Sequence, residues 1–329
     1  MGKHIRLVWL GAICLCLIAI PVSLTCGAAK ISLTDLWQAF FSPDSTAGRI
    51  FFYARLPRTA AAMLGGAALA VAGAVIQNVL QNQLASPGII GINAGAGLAV
   101  TVCCACGILS GWGIAVSAFA GAVAAALLVL FLARHTRASR STVILAGVAV
   151  NALLNALSEA ITTIFPEVGV LSVDFRVGGF SAVSVSRFLP AGILILATLA
   201  VLLTLTNDLD VLSLGEETAG GLGLPVKQMR VLFLTLAAML AGAAVSFAGL
   251  LGFVGLIVPH AVRKTAGNTS KQLIPLCALF GAGFVTLSDV AARLLFAPYE
   301  LPVGILMAVL GGPFFILLLM VRKGDRHDA

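Results

Sequence analysis

Residues 58–80 read RTAAAMLGGAALAVAGAVIQNVL and carry a single charge, that of Arg58. A membrane-spanning helix needs about 20 mainly apolar residues, and a continuous run of this length fits one. The strands of a membrane barrel would instead alternate apolar and polar residues over about ten positions. Residues 58–80 therefore predict a transmembrane helix.

The whole chain has the apolar composition of this segment. Of its 329 residues, 60% are hydrophobic and 10% are charged, and the mean hydropathy is +1.08. Soluble domains are about 45–50% apolar and about 25% charged. Soluble, disordered and disulfide-stabilised secreted proteins are therefore excluded. The net charge of +7 comes from basic residues in short gaps between apolar runs, which indicates membrane orientation rather than nucleic-acid binding.

Ten apolar runs lie between the charged residues and the Pro and Gly breaks. We predict an all-α fold, a polytopic membrane protein of about ten transmembrane helices that forms one domain over residues 1–329. The first run also has the flanks of a signal peptide, but its length favours a retained span. The eighth run is short. The predicted spans are 6–24, 58–80, 89–109, 112–133, 141–165, 188–206, 229–249, 251–264, 273–296 and 303–321.

Basic residues set the expected orientation. With the N-terminus in the cytoplasm, thirteen of the 20 Lys and Arg residues fall in inside segments and seven fall outside. Because cytoplasmic loops carry the excess of Lys and Arg, we expect both termini in the cytoplasm.

The seven cysteines do not indicate a metal site. Most of them lie within apolar runs, and they lack the paired C-x₂-C spacing of a zinc site. We therefore expect no metal and no other cofactor on this chain.

The segment 61–73 recurs later in the chain. It reads AAMLGGAALAVAG, and residues 237–249 read AAMLAGAAVSFAG, with nine of 13 positions identical. The two copies are five spans apart and so cross the membrane in opposite directions. Inverted repeats are typical of transporters; chance similarity between two Ala-rich and Gly-rich windows is the alternative. We predict repeat halves at roughly 55–165 and 229–321.

The most polar inside segment is 207–228. It predicts a short helix from Thr218 to Leu222, before the Gly and Pro residues that follow. A solvated linker is one interpretation. A docking segment for a cytoplasmic partner is the other, with the acidic Glu216 and Glu217 favourably placed at the helix N-terminus.

Six motifs follow one another along nearly the whole chain. They are RLPR at 55–58, QNVLQNQLASPGIIG at 77–91, GEETAGGLG at 215–223, GFVGLIVPHAVR at 252–263, DVAAR at 289–293 and ELPVG at 300–304. In this order they resemble the FecCD-type permeases of ABC importers, which carry iron-siderophore complexes, haem or cobalamin. One position departs from the family pattern, because Gln83 stands where the family usually has proline.

The resemblance implies a cobalamin-permease-like fold and a pair formed with a second permease copy or a close homologue. It also implies two cytoplasmic subunits that bind ATP and Mg, an extracytoplasmic substrate-binding protein, and a bacterial cytoplasmic membrane. The chain has no G-x-x-x-x-G-K-[ST] motif, so we expect a transport subunit rather than an enzyme. The segment 207–228 is similar to the family's coupling loop. Its expected contacts with the ATPase are Gly215, Glu216, Glu217, Ala219, Leu222 and Gly223.

Arg55, Arg58 and Arg293 resemble the basic residues with which the family receives carboxylates of the binding protein. A guanidinium suits this role because it binds a carboxylate through two parallel hydrogen bonds. The alternative is that these side chains only extend to the membrane interface. Asp289 lies one helical turn before Arg293, so a salt bridge that only positions Arg293 is also possible in this sequence.

The fifth span has a polar face. Asn151, Asn155 and Glu159 share it at four-residue spacing, and a carboxylate inside a membrane by default faces a cavity or a partner. We hypothesise that this face lines the translocation path; hydrogen bonding between helices is the alternative. Ser141 and Thr142 resemble the family's cytoplasmic gate position.

The function predicted from these observations is the permease subunit of an ATP-driven importer for a ferric siderophore or related metal chelate. Haem and cobalamin importers of the same family are alternatives, because the path of a bulky chelate has no distinct residue pattern. An ion-coupled secondary transporter would also have an inverted repeat and would use Glu159 or Asp289 as an ion site. It would not need the segment at 215–223.

Overall fold

The computed structural model describes residues 2–27, 41–42, 45–135 and 140–324, and within these ranges all regular elements are helices. Ten of them correspond to the predicted spans. These are α1 (Lys3–Thr25), α3 (Leu56–Leu80), α4 (Ile92–Ala105), α5 (Gly111–His135), α6 (Arg140–Ile164), α9 (Val185–Thr204), α12 (Val226–Ala248), α13 (Val254–Ala266), α14 (Ser270–Leu294) and α15 (Val303–Gly324). The others are α2 (Thr46–Ile50), α7 (Pro166–Leu171), α8 (Val173–Val177), α10 (Thr206–Ser213) and α11 (Glu216–Gly221), with a π-helical turn at Phe51–Arg55 and a 3₁₀ turn at Pro87–Ile90.

Seven of the described helices are long and apolar enough to cross a membrane by length and composition. The predicted third span is a shorter helix than expected, and the eighth is short, as the sequence predicted. The third, α4, has 14 residues and so extends only about 21 Å at 1.5 Å per residue, against a hydrocarbon thickness of about 30 Å. It begins late because Gly91 has a φ of 88°, which ends the preceding 3₁₀ turn.

The eighth span, α13, has 13 residues, and breaks in the backbone on both sides explain its length. Gly249 before it and Gly267 after it have φ values of 68° and 85°. Phe253, which directly precedes α13, also has a left-handed backbone with φ of 63°. An α-helix cannot run through such residues, so the segment begins at Val254 rather than at 251.

Helix α3 lies at the centre of the bundle. Helices α12, α13 and α14 pack directly on it, α1 packs on α14, and α5 packs on α12. The contacts depend on small residues: a Cβ on Gly66 would overlap the carbonyl of Gly281, and one on Gly73 would overlap the carbonyl of Gly255. These glycines let the helix backbones approach closely, as small residues do in membrane bundles.

The two copies of the repeated segment pack in corresponding ways. The first copy is in α3, which packs on α14 of the second half, and the second copy is in α12, which packs on α5 of the first half. Gly66 and Gly242 occupy the same position in the two copies. Gly66 faces Gly281, and Gly242 faces Ala122 and Phe119. The halves are therefore interlocked in the bundle; their boundaries at 55–165 and 229–321 stay a prediction.

Polar side chains gather at the two ends of α3. We call the end with Arg58, the C-terminal end of α14 and the C-terminal end of α1 the outer end, following the predicted orientation. The inner end has Gln77, the N-terminal end of α14 and α10.

Candidate functional site

The inner segment 207–228 is mostly helical. It contains α10 and the short α11, which runs over Glu216–Gly221 rather than from Thr218 to Leu222. The helix begins earlier than predicted because the backbone break that separates it from α10 lies at Gly215. Gly215 has a φ of 116°, a backbone conformation that residues other than glycine rarely adopt. Both glutamates therefore lie in its first turn, where their negative charge is favourable.

Helix α11 lies on the surface and is held by one buried residue. Ala219 is fully buried, whereas Glu217 and Gly220 are exposed. Two apolar side chains flank the helix: Leu214 is 60% exposed and Leu222 is 65% exposed. Exposed apolar side chains therefore lie at both ends of this surface helix.

Glu216 is paired within the chain. Its carboxylate accepts a hydrogen bond from the guanidinium of Arg230 in α12. Arg230 is buried, and Glu216 is half-exposed. Glu216 was expected to contact the ATPase; in this structure it connects α11 to α12, and the contact with the ATPase stays a prediction.

Helix α10 connects the same segment to α14 and α3. The carboxylate of Asp210 accepts a hydrogen bond from the backbone N–H of Ser270, the first residue of α14, at 2.8 Å. The side-chain amide of Gln81, at the end of α3, donates to the carbonyl of Ser213 at 2.6 Å. The surface segment is therefore bonded to three core helices.

Arg263 of α13 forms the centre of the inner end. Its guanidinium donates to the side-chain oxygens of Gln77 and of Asn78, the latter at 2.8 Å. Gln77 in turn donates to the carbonyl of Gly255 at 3.0 Å, and Asn78 donates to the hydroxyl of Ser270 at 3.2 Å. This cluster joins α3, α13 and α14 through neutral hydrogen-bond acceptors.

At the outer end, Arg58 is bound by two carboxylates. Its Nε and Nη2 donate to Asp289 at 3.0 Å each, to different carboxylate oxygens, and its Nη1 donates to Glu300 at 2.7 Å. Asp289 is 1% exposed and also pairs with Arg293 at 3.2 Å. The salt bridge between Asp289 and Arg293 that the sequence suggested is present.

Arg55 and Arg293 both bind the C-terminal end of α1. Arg55 Nη1 donates to the carbonyls of Leu24 and Thr25 at 2.6 Å each, and Arg293 donates to the carbonyl of Cys26 at 2.9 Å. The last carbonyls of a helix have no partner within it and carry partial negative charge. The structure thus brings the three predicted arginines together, and their guanidinium groups are engaged inside the chain. Their docking role stays a prediction.

The three residues of the predicted polar face of α6 lie in two different environments. Asn151 donates to the carbonyl of Gly88 in the 3₁₀ turn at 2.7 Å, which is the interhelical hydrogen bond named as the alternative. Asn155 and Glu159 are exposed on the outside of this single chain. Ser141 lies in the first turn of α6, where its side chain is not among the described ones, and Thr142 beside it is half-buried.

The described residues contain no group of three or more His, Cys, Asp or Glu side chains placed to hold a metal ion. Cys103 donates through its Sγ to the carbonyl of Ile108 at 3.3 Å, and Cys277 is buried. Both behave as small core residues.

Sequence reasoning did not identify the residues that connect the inner segment to the core. Arg230 contributed only to the expected orientation, and Arg263, Gln77 and Asn78 were only parts of motifs. One feature of the sequence could have pointed to these contacts. Arg230 and Arg263 lie at the ends of apolar runs, and a charge near the membrane needs a partner.

The comparisons with known proteins agree over nearly the whole chain. The model of the FecCD transport family matches residues 15–321. The chain is 36% identical to the hemin transport system permease protein HmuU of Yersinia pestis, over 91% of each chain. It is also 36% identical to the Fe(3+)-citrate import system permease protein YfmD of Bacillus subtilis, over 95% of this chain and 93% of that protein. A solved inward-facing conformation of a metal-chelate type ABC transporter superposes with a TM-score of 0.86 at 29% identity, over 96% of this chain and 99% of the other.

Proposed function

The chain belongs to the FecCD transport family and is a permease subunit of an ABC importer, and we propose that it carries a ferric siderophore or a related metal chelate. The family match over residues 15–321 carries the assignment as a permease, and the cargo is proposed from what the similar proteins are named for. The relative YfmD is named for ferric citrate, an iron chelate, and the similar solved structure is of a metal-chelate type transporter. The relative HmuU is named for hemin, which makes haem the second candidate cargo.

The partners proposed for the chain are two cytoplasmic subunits that hydrolyse ATP with Mg, a binding protein outside, and a second permease copy. The surface of α11 supports a cytoplasmic partner, because Leu214 and Leu222 project from it with their apolar side chains exposed. Exposed apolar residues at the centre of a polar segment are typical of protein interfaces. We propose that the assembly lies in a bacterial cytoplasmic membrane with both termini inside; the distribution of basic residues favours this orientation.

In the proposed mechanism the docked ATPases move α11, and the chain's own contacts pass this movement to the bundle. Glu216 and Arg230 connect α11 to α12. Asp210 and Ser270 connect α10 to α14, and Ser213 and Gln81 connect α10 to α3. A displacement of the segment would shift the core helices together, which is the rigid-body type of motion that alternating access requires.

The translocation path is proposed along α6, facing the second permease copy. Asn155 and Glu159 are exposed in the single chain, and neither side chain has a hydrogen bond to another described residue. An exposed carboxylate within a span requires water or a partner. A path between two permease copies supplies the water.

Transport by reconstituted vesicles tests the cargo and the energy source. Vesicles that contain the permease and its partner ATPase receive the binding protein and one cargo at a time. The cargoes are a ferric siderophore and haem, each labelled with ⁵⁵Fe, and cobalamin labelled on its cobalt. We expect uptake of the siderophore that depends on MgATP and stops when the ATPase carries a Walker A lysine substitution. Uptake of haem alone would assign the second candidate. Equal uptake without the ATPase, or uptake driven by an ion gradient, would exclude an ABC importer.

The docking role of α11 is tested by Leu222→Asp against Leu222→Met. The side chain is exposed, so neither change disturbs the core. The aspartate places a charge in the proposed apolar contact and should weaken ATPase binding about 30-fold, as at an interface hot spot. Copurification of the ATPase measures the effect. If Leu222→Asp and Leu222→Met retain equal ATPase, α11 is not the docking surface.

A further inference from the structure

A cavity of about 170 Å³ lies between α5, α9 and α12, away from both polar ends of α3. Ala243 and Ser246 of α12 form its floor, and Trp112 and Phe119 of α5 form one wall. Its lining is mostly apolar, and the exceptions are Arg187 of α9 and the hydroxyl of Ser246. None of the proposed transport steps uses it.

The cavity runs inward from the start of two helices. The guanidinium of Arg187 lies so close to Gly111, the first residue of α5, that a Cβ there would meet it at 2.5 Å. From Trp112 to Phe119 the wall extends two turns along α5, about 10 Å at 1.5 Å per residue. The guanidinium of Arg187 thus lies at the mouth of this cavity, which we call the groove.

Among the described residues, Arg187 lacks both a carboxylate partner and the carbonyl or amide oxygens that bind Arg55 and Arg263. Its Nε donates to the hydroxyl of Ser184 at 3.1 Å, and it forms no ion pair with any residue in the described ranges. Arg58, Arg230 and Arg293 each have a carboxylate. A half-buried arginine at the membrane boundary is favourable when an anion from the surroundings lies beside it.

We propose that this cavity binds an anionic phospholipid of the outer leaflet, with the phosphate on Arg187 and one acyl chain in the groove. Trp112, which is 48% exposed at the mouth, has the amphipathic side chain that favours the headgroup level. The volume of about 170 Å³ is too small for another helix of a second copy. One turn of a helix about 10 Å across and about 5.4 Å long fills roughly 400 Å³. An acyl chain is narrow enough to enter.

Native mass spectrometry of the purified permease measures the binding. The probes are phosphatidylglycerol and phosphatidylcholine with the same acyl chains. We expect one tightly held phosphatidylglycerol per chain and weaker binding of phosphatidylcholine, whose choline cation opposes Arg187. Arg187→Gln should lower phosphatidylglycerol affinity about tenfold, the size of a hydrogen-bonded charge pair. Arg49→Gln, at an exposed outer arginine away from the cavity, should leave it unchanged. Equal losses in Arg187→Gln and Arg49→Gln would mean only general surface attraction and would overturn the proposal.

Filling the groove tests the acyl chain separately from the charge. Ala191→Phe should remove phosphatidylglycerol binding while Arg187 stays in place. Ser246→Leu is the second filling variant, used if Ala191→Phe fails to fold. Glycerol 3-phosphate should bind far more weakly than the lipid; binding of equal strength would overturn the role of the groove. A change in the number of permease copies per particle in a filling variant would also overturn the proposal, because the groove would then belong to a protein interface.

Discussion

The two ends of α3 bind their arginine side chains in different ways. At the outer end Arg58 is bound by Asp289 and Glu300, and Asp289 is shared with Arg293. At the inner end Arg263 binds the neutral side-chain oxygens of Gln77 and Asn78, and no carboxylate among the described residues pairs with it. The outer end is an ion-pair network, whereas Arg263 at the inner end is bound by an amide network.

The difference bears on which end can move. Removing one partner of a buried ion pair leaves an uncompensated charge and costs about 3–5 kcal/mol, so the outer network holds its helices in one arrangement. Hydrogen bonds to neutral amides are worth less, and exchanging one acceptor for another or for water leaves no new unpaired carboxylate. The inner end, to which α10 is bonded, is therefore the end suited to rearrangement, and the outer end is suited to be a fixed platform.

The largest effect is expected for Asp289→Asn at the outer end. The asparagine keeps the shape and some hydrogen bonds but removes the charge that compensates both Arg58 and Arg293. We expect a loss of about 3–5 kcal/mol in the free energy of unfolding, because the buried Arg293 loses its carboxylate and Arg58 keeps only that of Glu300. Thermal unfolding of the purified permease in detergent, with the yield of monodisperse protein, measures it. Unfolding of Asp289→Asn at the wild-type temperature would mean that the outer network does not hold the helices.

A smaller effect is expected for Gln77→Leu at the inner end. The leucine removes one acceptor from Arg263 and one donor from the carbonyl of Gly255. We expect a loss of about 1–3 kcal/mol, the penalty of polar groups left without partners. The same unfolding measurement applies, with Lys264→Gln on the exposed side of α13 as the control. A loss as large as that of Asp289→Asn would remove the distinction between the two ends.

Local patterns predicted the helices and some of the site. The run at 58–80 became α3, and the polar segment 207–228 holds a short helix that begins two residues before the predicted one. The spacing of Asp289 and Arg293 gave their salt bridge, because residues four apart share a helix face.

The contacts that join distant segments could not be predicted in this way. Arg55 binds the end of α1 because the bundle places that end beside it, and no local pattern records the approach. The amide partners of Arg263 lie 185 and 186 residues away along the chain. The helix face of Asn151 did not identify its hydrogen-bond partner, a carbonyl of the 3₁₀ turn 63 residues away along the chain.

The smallest effect on stability, and the sharpest test of the comparison, is expected for Glu216→Gln with Glu300→Gln as its matched control. Each glutamate is a partly exposed carboxylate paired with an arginine, one at each end, and a screened pair of this kind contributes about 0–1 kcal/mol. Both variants should therefore unfold like the wild type.

The two variants should differ in ATPase activity measured in vesicles with the partner subunits and the binding protein. Glu216→Gln weakens the connection from α11 to α12 and should reduce the stimulation of ATP hydrolysis by loaded binding protein, while Glu300→Gln leaves the inner segment unchanged. Equal stimulation in Glu216→Gln and in the wild type would mean that the pair with Arg230 transmits nothing, and that the coupling runs through α10 alone.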